Sequence, residues 1–308
     1  MRPALFLILI ALCPQLAAEP ERWFPEALGQ DGRITLSPGF SPDGNFAVLT
    51  QSECGRIERC PQRMKTIARD GSGWSKPELV ARTANGRVDW PSVAPDGTTL
   101  LFSWAVPRDR HEGQSVYEDF DLYSLSLLDS DAEPIPLDEP DINRIRGGKL
   151  STLRYFNNET APVLTESGDL YFWTEREDGI GERDIYIATA NPDGNFQRPT
   201  ALPAPINTTG RDDHVWVTPD ASLMLLSRRV NGRSDLFVSR RGSGGRWVEP
   251  ENLGPTVNSD GDEFAARITP DGETLVFTSD RAFDDTPAGL LQVWAVPVSS
   301  VPALMKPN

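Results

Sequence analysis

The stretch Thr269-Pro270-Asp271-Gly272-Glu273-Thr274-Leu275-Val276-Phe277-Thr278 decides the fold of this chain. Proline presets φ at the first central position of a turn, aspartate bonds the nearby backbone, and glycine accepts a positive φ. The apolar run that follows is short and continuous, which is typical of a strand buried on both faces. The stretch therefore predicts a tight turn that leads into a buried strand.

The same combination of turn and strand recurs along the chain, at intervals of 53, 71, 53 and 51 residues. The four earlier turns are Ser41-Pro42-Asp43-Gly44, Ala94-Pro95-Asp96-Gly97, Thr165-Glu166-Ser167-Gly168 and Thr218-Pro219-Asp220-Ala221. An apolar run that ends in a hydroxyl residue follows each of them. Self-similarity of this period indicates a repeat protein.

Each repeat also holds material for two further strands. Copies of a third strand are Asp121-Leu122-Tyr123, Asp184-Ile185-Tyr186 and Asp235-Leu236-Phe237. A fourth element places a Trp or Phe shortly before a proline, and proline suits an outer edge strand because a missing N–H costs little there. Four strands in about 50 residues predict one blade of a β-propeller, so the fold class is all-β.

The two ends of the repeat region complement each other. The last copy stops after its third strand, near Pro297, and a spare segment at residues 22–29 resembles residues 246–254. We therefore expect the N-terminal strand to complete the last blade and close the ring, which removes an exposed sheet edge. The repeat count gives five blades, and the 71-residue interval leaves room for a sixth.

The Pro-Asp-Gly turns, the Asp184-Ile185-Tyr186 strand and the run Trp247-Val248-Glu249-Pro250-Glu251-Asn252-Leu253-Gly254 resemble the WD40-like (PD40) repeats of TolB-like β-propellers. The resemblance covers about residues 22–297. It implies a periplasmic or secreted propeller that acts as a binding or scaffold module, and residues 19–308 are expected to form one such domain. It implies no translocation role, since a separate N-terminal α/β domain is not evident in the sequence.

The first 18 residues have the features of a signal peptide. Arg2 supplies the positive charge, residues 4–12 form a short apolar run, and small residues precede a cleavage point near Ala18. The run is too short to span a bilayer. A lipoprotein would need a small residue before Cys13, where Leu12 stands, so lipidation of Cys13 is not expected.

Cleavage would leave Cys54 and Cys60, six positions apart. An oxidising compartment favours a disulfide between them. A zinc site would need more ligands than two thiols, and no further Cys or His lies beside them in the sequence. We expect a structural disulfide.

Charge narrows the range of partners. The formal net charge is −15, so the surface repels phosphate backbones and anionic lipid, and we expect neither nucleic-acid binding nor membrane association. A cation, a polar ligand or a basic protein surface is electrostatically easier to bind.

Acidic residues recur on four of the five predicted innermost strands, six or seven positions before the proline slot of the turn, whereas the first copy has Thr35 and Leu36 there. The acidic residues are Asp89, Glu159, Asp212, Asp213 and Glu263, and His214 follows Asp213. One interpretation is a carboxylate-lined channel mouth that binds a cation or a polar ligand. The other is that these groups bond to neighbouring blades, and the one-residue slip in their spacing matters because one residue changes the face of a strand.

Three arginines follow the second strands, and we expect these residues, Arg176, Arg228 and Arg281, to pair with Asp184, Asp235 or Asp280 as repeated blade contacts.

Enzyme signatures are mostly missing, with two histidines, no Gly-x-Ser-x-Gly motif and no phosphate-binding glycine loop.

The leading interpretation is an exported binding module for a protein partner or a small polar ligand, without a cofactor. The alternative is an enzyme that acts on a glycan or another polar substrate at the channel mouth, with calcium as its candidate cofactor.

Overall fold

The computed structural model describes residues 18–23, 28, 33–55, 60–71, 73–84, 86–106, 120–144, 158–283 and 289–306. Cys13 and nearly all of the predicted signal peptide lie outside these residues. The described residues form twenty-one strands in five antiparallel sheets. Three-residue 3₁₀ helices lie at Ala81–Thr83 and Val298–Ser300. No helix in the described ranges has the length and apolar character that a membrane crossing requires.

The chain starts with the short strand β1 (Glu21–Arg22) and then builds one sheet after another. The first sheet contains β2 (Thr35–Phe40), β3 (Phe46–Ser52), β4 (Gln62–Asp70), β5 (Gly73–Trp74) and β6 (Glu78–Leu79). The second contains β7 (Arg87–Val93), β8 (Thr99–Ala105), β9 (Asp121–Ser126) and β10 (Ile135–Pro136). The third contains β11 (Glu159–Leu164), β12 (Leu170–Thr174), β13 (Asp184–Ala188) and β14 (Thr200–Ala201).

Two further sheets follow. The fourth contains β15 (Asp212–Val217), β16 (Leu223–Val230), β17 (Arg233–Arg240) and β18 (Glu251–Asn252). The fifth contains β19 (Glu263–Ile268), β20 (Thr274–Ser279), β21 (Gln292–Pro297) and, as its outer strand, β1. Within each sheet neighbouring strands pair in chain order, apart from β1 and from β6, which pairs with β4. Each sheet is thus one blade, and the predicted order of strands is confirmed.

The five inner strands β2, β7, β11, β15 and β19 contact each other in sequence around the ring, and β19 contacts β2. The predicted propeller of five blades is confirmed. The sixth blade suggested by the 71-residue interval is not there, because β7 contacts β11 directly. The extra length falls in segments 107–119 and 145–157, outside the described residues.

The chain ends meet in the fifth blade, as expected. Arg22 pairs with Trp294, and the Trp23 N–H donates to the Val293 carbonyl at 2.8 Å. The detailed alignment with residues 246–254 was wrong, however. In the fourth blade the corresponding bond comes from the Leu253 N–H, so Trp23 occupies the place of Leu253 and not of Trp247.

The repeated turn works as its residues predict. Thr269 Oγ1 and the Glu273 N–H both donate to Asp271 Oδ1, at 2.6 and 3.0 Å, and Gly272 has φ of 75°. Ala221 takes the glycine position in the fourth blade and still adopts φ of 55°. The apolar run after the turn is fully buried, as the 0% exposure of Phe277 illustrates. Turn chemistry and burial therefore fix the same hairpin in each blade.

Every inner strand carries an irregularity at the same place. The pairing register with the second strand shifts once in each blade, for example between Asp213 and Trp216. In four blades a residue inside the shift has positive φ, and these residues are Trp90, Ala161, His214 and Ala265. A bulge of this kind re-aims side chains, which matters at the centre of a ring.

Candidate functional site

A cavity of about 520 Å³ opens at the end of the central channel where the inner strands begin. We call it the loop-side cavity. Its wall includes the aromatic side chains Trp90, Phe120, Trp173, His214 and Phe264, the carboxylates Asp89, Asp213 and Asp262, and the arginines Arg87, Arg183, Arg211 and Arg229. The second to fifth blades supply these residues. The volume lies in the range of sites for small molecules.

The floor of the loop-side cavity is an aromatic layer around His214. The His214 ring centroid lies 4.6 Å from that of Trp90, 5.0 Å from that of Phe264 and 5.5 Å from that of Trp173. Trp90 and His214 reach each other because each is the positive-φ residue of its strand. The layer offers a ring face to a ligand that enters the cavity.

Asp213 lies at the centre of a charged network. Its Oδ1 is 2.7 Å from His214 Nδ1, and its Oδ2 accepts a hydrogen bond of 3.0 Å from Arg183. The Arg183 guanidinium also lies 4.6 Å above the Trp173 ring and donates to Glu175 at 2.8 Å. Burial raises the pKa of Asp213, but the charges and hydrogen bonds of His214 and Arg183 outweigh it and bring the pKa to about 2. Asp213 is therefore a fixed anion.

Asp89 has the opposite environment. It is 2% exposed, and its nearest cation is Arg87, at 3.6 Å from Oδ2. Burial raises its pKa to about 6, against a smaller opposing effect of Arg87. The arginine is itself engaged by Gln62 at 2.9 Å and lies over the Phe120 ring. Asp89 can therefore take up or release a proton near neutral pH.

Three buried polar atoms around this cavity have no hydrogen-bond partner among the described residues. They are Asp89 Oδ1, Thr160 Oγ1 and Trp173 Nε1. Buried polar groups are normally paired, so unpaired ones call for a particular explanation. One acceptor, one hydroxyl and one donor are thus unpartnered, and all three belong to residues of the cavity wall.

The structure separates the six sequence-predicted site residues into two groups. Asp89, Asp213 and His214 line the loop-side cavity. Glu159, Asp212 and Glu263 do not line it and are each 0% exposed. The one-residue slip in spacing is the cause, since Asp89 and Asp213 are the last residues before the register shift and the other three stand one position earlier.

The second group pairs with arginines. Arg176 Nε donates to Glu159 at 3.1 Å, Arg228 Nε donates to Asp212 at 2.6 Å, and Arg281 lies 3.2 Å from Glu263. The expected pairing of these arginines with Asp184, Asp235 or Asp280 was wrong. Asp184 and Asp280 accept backbone N–H groups of nearby loops instead, and Asp235 accepts from the Asn252 side chain of β18. The arginines reach across to the inner strand of their own blade.

Each of these arginines also bonds to the segment that enters its blade. Arg228 donates to the carbonyls of Pro205 and Ile206, and Arg176 and Arg281 make the same kind of contact with Ile142 and Val257. The second carboxylate oxygen of each acid accepts a backbone N–H from the same segment, as Asp212 does from Thr208 at 2.6 Å. The arginines therefore fasten the third, fourth and fifth blades each to the one before it.

An asparagine completes each fastening, and sequence analysis missed it. Asn207 accepts from the Ile185 N–H at 2.8 Å and donates to the Ile185 carbonyl at 2.9 Å, in the third strand of the preceding blade. Asn143 and Asn258 do the same with Leu122 and Leu236. The signal is a recurring Ile-Asn or Val-Asn shortly after a proline.

A disulfide joins Cys54 and Cys60, whose Cα atoms are 5.8 Å apart. It lies at the end of β3, away from the residues of the loop-side cavity. Within the described ranges, no group of three or more His, Cys, Asp and Glu side chains is arranged to hold a metal ion.

No protein-family model and no curated protein matches this chain. Solved structures are similar to it. A TolB from Agrobacterium tumefaciens is 18% identical, with a TM-score of 0.48 over 82% of this chain and 73% of that one. TolB from Acinetobacter baumannii is 15% identical, with a TM-score of 0.48 over 85% of this chain and 54% of that one. An endo-arabinase from Bacteroides thetaiotaomicron is 17% identical, with a TM-score of 0.48 over 86% and 94%.

This chain therefore spans about half the length of the Acinetobacter protein that it matches. At these identities the likeness concerns the fold alone, and no activity or ligand of those proteins carries over. Membership of the PD40 family stays a prediction.

Proposed function

We propose that this protein is an exported binding propeller that takes a small polar ligand in its loop-side cavity. The observation that carries the proposal is the set of unpartnered buried atoms there, Asp89 Oδ1, Thr160 Oγ1 and Trp173 Nε1. A ligand with both hydrogen-bond donors and acceptors would satisfy them, and leaving such groups unpaired is costly.

The aromatic layer narrows the ligand class. A flat apolar face would stack on Trp90, His214 and Phe264 while hydroxyl groups bond to the wall. A sugar ring combines both features. Four arginines against three carboxylates in the wall favour a neutral or acidic sugar over a cationic ligand.

Calorimetric titration of the purified protein with a hexose, a pentose and a uronic acid tests this proposal. At least one should bind, and Trp173→Phe should weaken binding about tenfold, because it removes one hydrogen-bond donor and keeps the ring. Asp220→Asn, in an exposed turn, is the matched control and should bind as the wild type does. Equal affinity in Trp173→Phe, or binding of none of the three sugars, would contradict the proposal.

A second candidate function is hydrolysis of a glycan at the same site. It is favoured by the two carboxylates in one cavity whose pKa values are driven apart, to about 6 for Asp89 and about 2 for Asp213. Below about pH 6 such a pair supplies an acid and an anion. Reducing-end release that is lost in both Asp89→Asn and Asp213→Asn, with wild-type melting curves, would favour the enzyme. Parallel assays with calcium chloride and with EDTA test the calcium dependence expected of it.

Export rests on the signal-peptide features of residues 1–18 and on the pair Cys54 and Cys60. Protein recovered from the periplasm or the medium should start near Glu19 and show no free thiol after denaturation without reductant. Two reactive thiols per chain, or an intact Met1, would count against export.

A further inference from the structure

A second cavity, of about 400 Å³, opens at the opposite end of the channel, where the inner strands end at the Pro-Asp-Gly turns. We call it the turn-side cavity. All five blades contribute to its wall, which is mostly apolar and includes Phe40, Val93, Val163, Trp216 and Ile268. It shares no lining residue with the loop-side cavity, and the aromatic layer of Trp90, His214 and Phe264 belongs to the latter.

One buried cation lies in this apolar wall. Arg267 is 5% exposed, and within the described part of the chain no carboxylate lies within 4 Å of it and no side-chain hydrogen bond of its guanidinium is found. Burial alone lowers its pKa to about 10, a value at which it still carries its charge at neutral pH. Burying a charge without a partner is costly.

The arginines that fasten the blades show how unusual this is. Arg176 is 4% exposed and is held by Glu159 and by two backbone carbonyls. Arg281 is held by Glu263 and by the Val257 carbonyl. The chain thus pairs a buried guanidinium where it serves as a blade fastener. Arg267 lies instead in the wall of an open cavity.

We propose that the turn-side cavity is an anion site in which Arg267 binds the carboxylate of a small, monoanionic ligand with an apolar body. A guanidinium matches a carboxylate through two parallel hydrogen bonds. A phosphate would bring more charge than one arginine balances. The apolar wall fits a hydrocarbon or aromatic body, and the carboxylate is either that of a free acid or the C-terminus of a peptide.

The experiment is calorimetric titration of the full chain with two carboxylates, benzoate for a free acid and N-acetylphenylalanine for a peptide C-terminus. The amide of each, and inorganic phosphate, serve as comparison ligands. At least one carboxylate should bind, its amide should bind at least tenfold more weakly, and phosphate should bind more weakly than either. The tighter of the two carboxylates indicates the source of the ligand.

Arg267→Met tests the residue itself, because methionine keeps much of the length and loses the charge. It should weaken carboxylate binding at least tenfold, and its melting temperature should equal or exceed that of the wild type, since an unpaired buried charge is removed. Arg198→Met is the control, because Arg198 is 73% exposed at the surface.

Three results would overturn the proposal. They are no binding of either carboxylate, binding that Arg267→Met leaves unchanged, and tighter binding of phosphate. A melting temperature of Arg267→Met well below that of Arg198→Met would also overturn it, by showing that the guanidinium is a structural group. Sugar titrations of Arg267→Met should match the wild type, so this site and the loop-side cavity are judged separately.

Discussion

Arg228 Nε donates a hydrogen bond of 2.6 Å to Asp212 Oδ1, while the next residue on each strand, Arg229 and Asp213, lines the loop-side cavity. Two neighbouring pairs of residues on these strands therefore have different roles. One pair holds two blades together, and the other faces a potential ligand. Successive side chains of a strand point to opposite faces of the sheet, and this alternation makes the division.

Loss of the Arg228 partner should destabilise the fold strongly. Asp212→Ala leaves the guanidinium buried without its carboxylate, so we expect a loss of about 3–5 kcal/mol in the free energy of unfolding, measured by urea denaturation. Glu182→Ala, which breaks the exposed pair with Arg211, should leave the urea midpoint unchanged. A small effect of Asp212→Ala would show that the fastening contributes little.

Asp89 should make stability depend on pH between about 4 and 6. Its pKa of about 6 in the folded state lies above the unfolded value of 3.8, so the folded state binds the extra proton. The free energy of unfolding should therefore fall as the pH rises through this window. The free energy of unfolding of Asp89→Asn should not fall in this way. It should exceed that of the wild type by about 3 kcal/mol at pH 7 and differ little from it at pH 4. Urea denaturation across this range checks it, and parallel curves for the two proteins would contradict it.

The backbone of the fourth turn predicts a stabilising substitution. Ala221 has φ of 55°, a conformation that costs an alanine about 1–2 kcal/mol. The extra entropy of a glycine in the unfolded chain offsets about 0.4–1 kcal/mol of this. Ala221→Gly also removes a buried methyl group, so it should stabilise the protein by at most about 1 kcal/mol.

Gly272 is the matched control for Ala221. It occupies the same turn position in the fifth blade with φ of 75°, and no atom lies within 4 Å of an added Cβ. Gly272→Ala should destabilise by about the same amount, through backbone conformation alone. Equal melting temperatures for both variants and the wild type would show that the left-handed conformation costs nothing here.

Ring closure by β1 should be measurable by truncation. A chain that starts at residue 24 lacks β1 and leaves the edge of β21 unpaired, so we expect aggregation and a melting temperature several degrees lower. A chain that starts at residue 21 keeps the pairing and should melt as a chain that starts at residue 19 does. Identical melting of both chains would mean that the closing strand adds no stability.

The architecture could be predicted well from the sequence because the turn residues have strong conformational preferences. Pro270, Asp271 and Gly272 each act through their own backbone preference, and their spacing sets the blade. The closing strand was predicted too, although its alignment was displaced by six residues, since a two-residue strand such as Glu21–Arg22 carries almost no pattern of its own.

The site was harder to predict, because it depends on the bulges. Trp90 and His214 adopt positive φ although neither is glycine, so the local sequence does not indicate where the register shift occurs. Counting back from the turn separates Asp89 and Asp213 from Glu159 and its equivalents by one position, but it does not show which of the two sets faces the cavity. Nothing in the sequence indicated that Arg267 would be buried without a carboxylate partner, because its surroundings come from residues of four other blades.

The pairing of Arg22 with Trp294 also determines when folding of the ring can be completed. The outer strand of the last blade is made first, and its partner is made last, about 270 residues later. Such a distant contact is entropically costly to form early. During synthesis or transport β1 therefore stays unpaired until β21 is available. A chain that stops before residue 292 leaves β1 without its partner and the ring open, and both are accessible to chaperones and proteases.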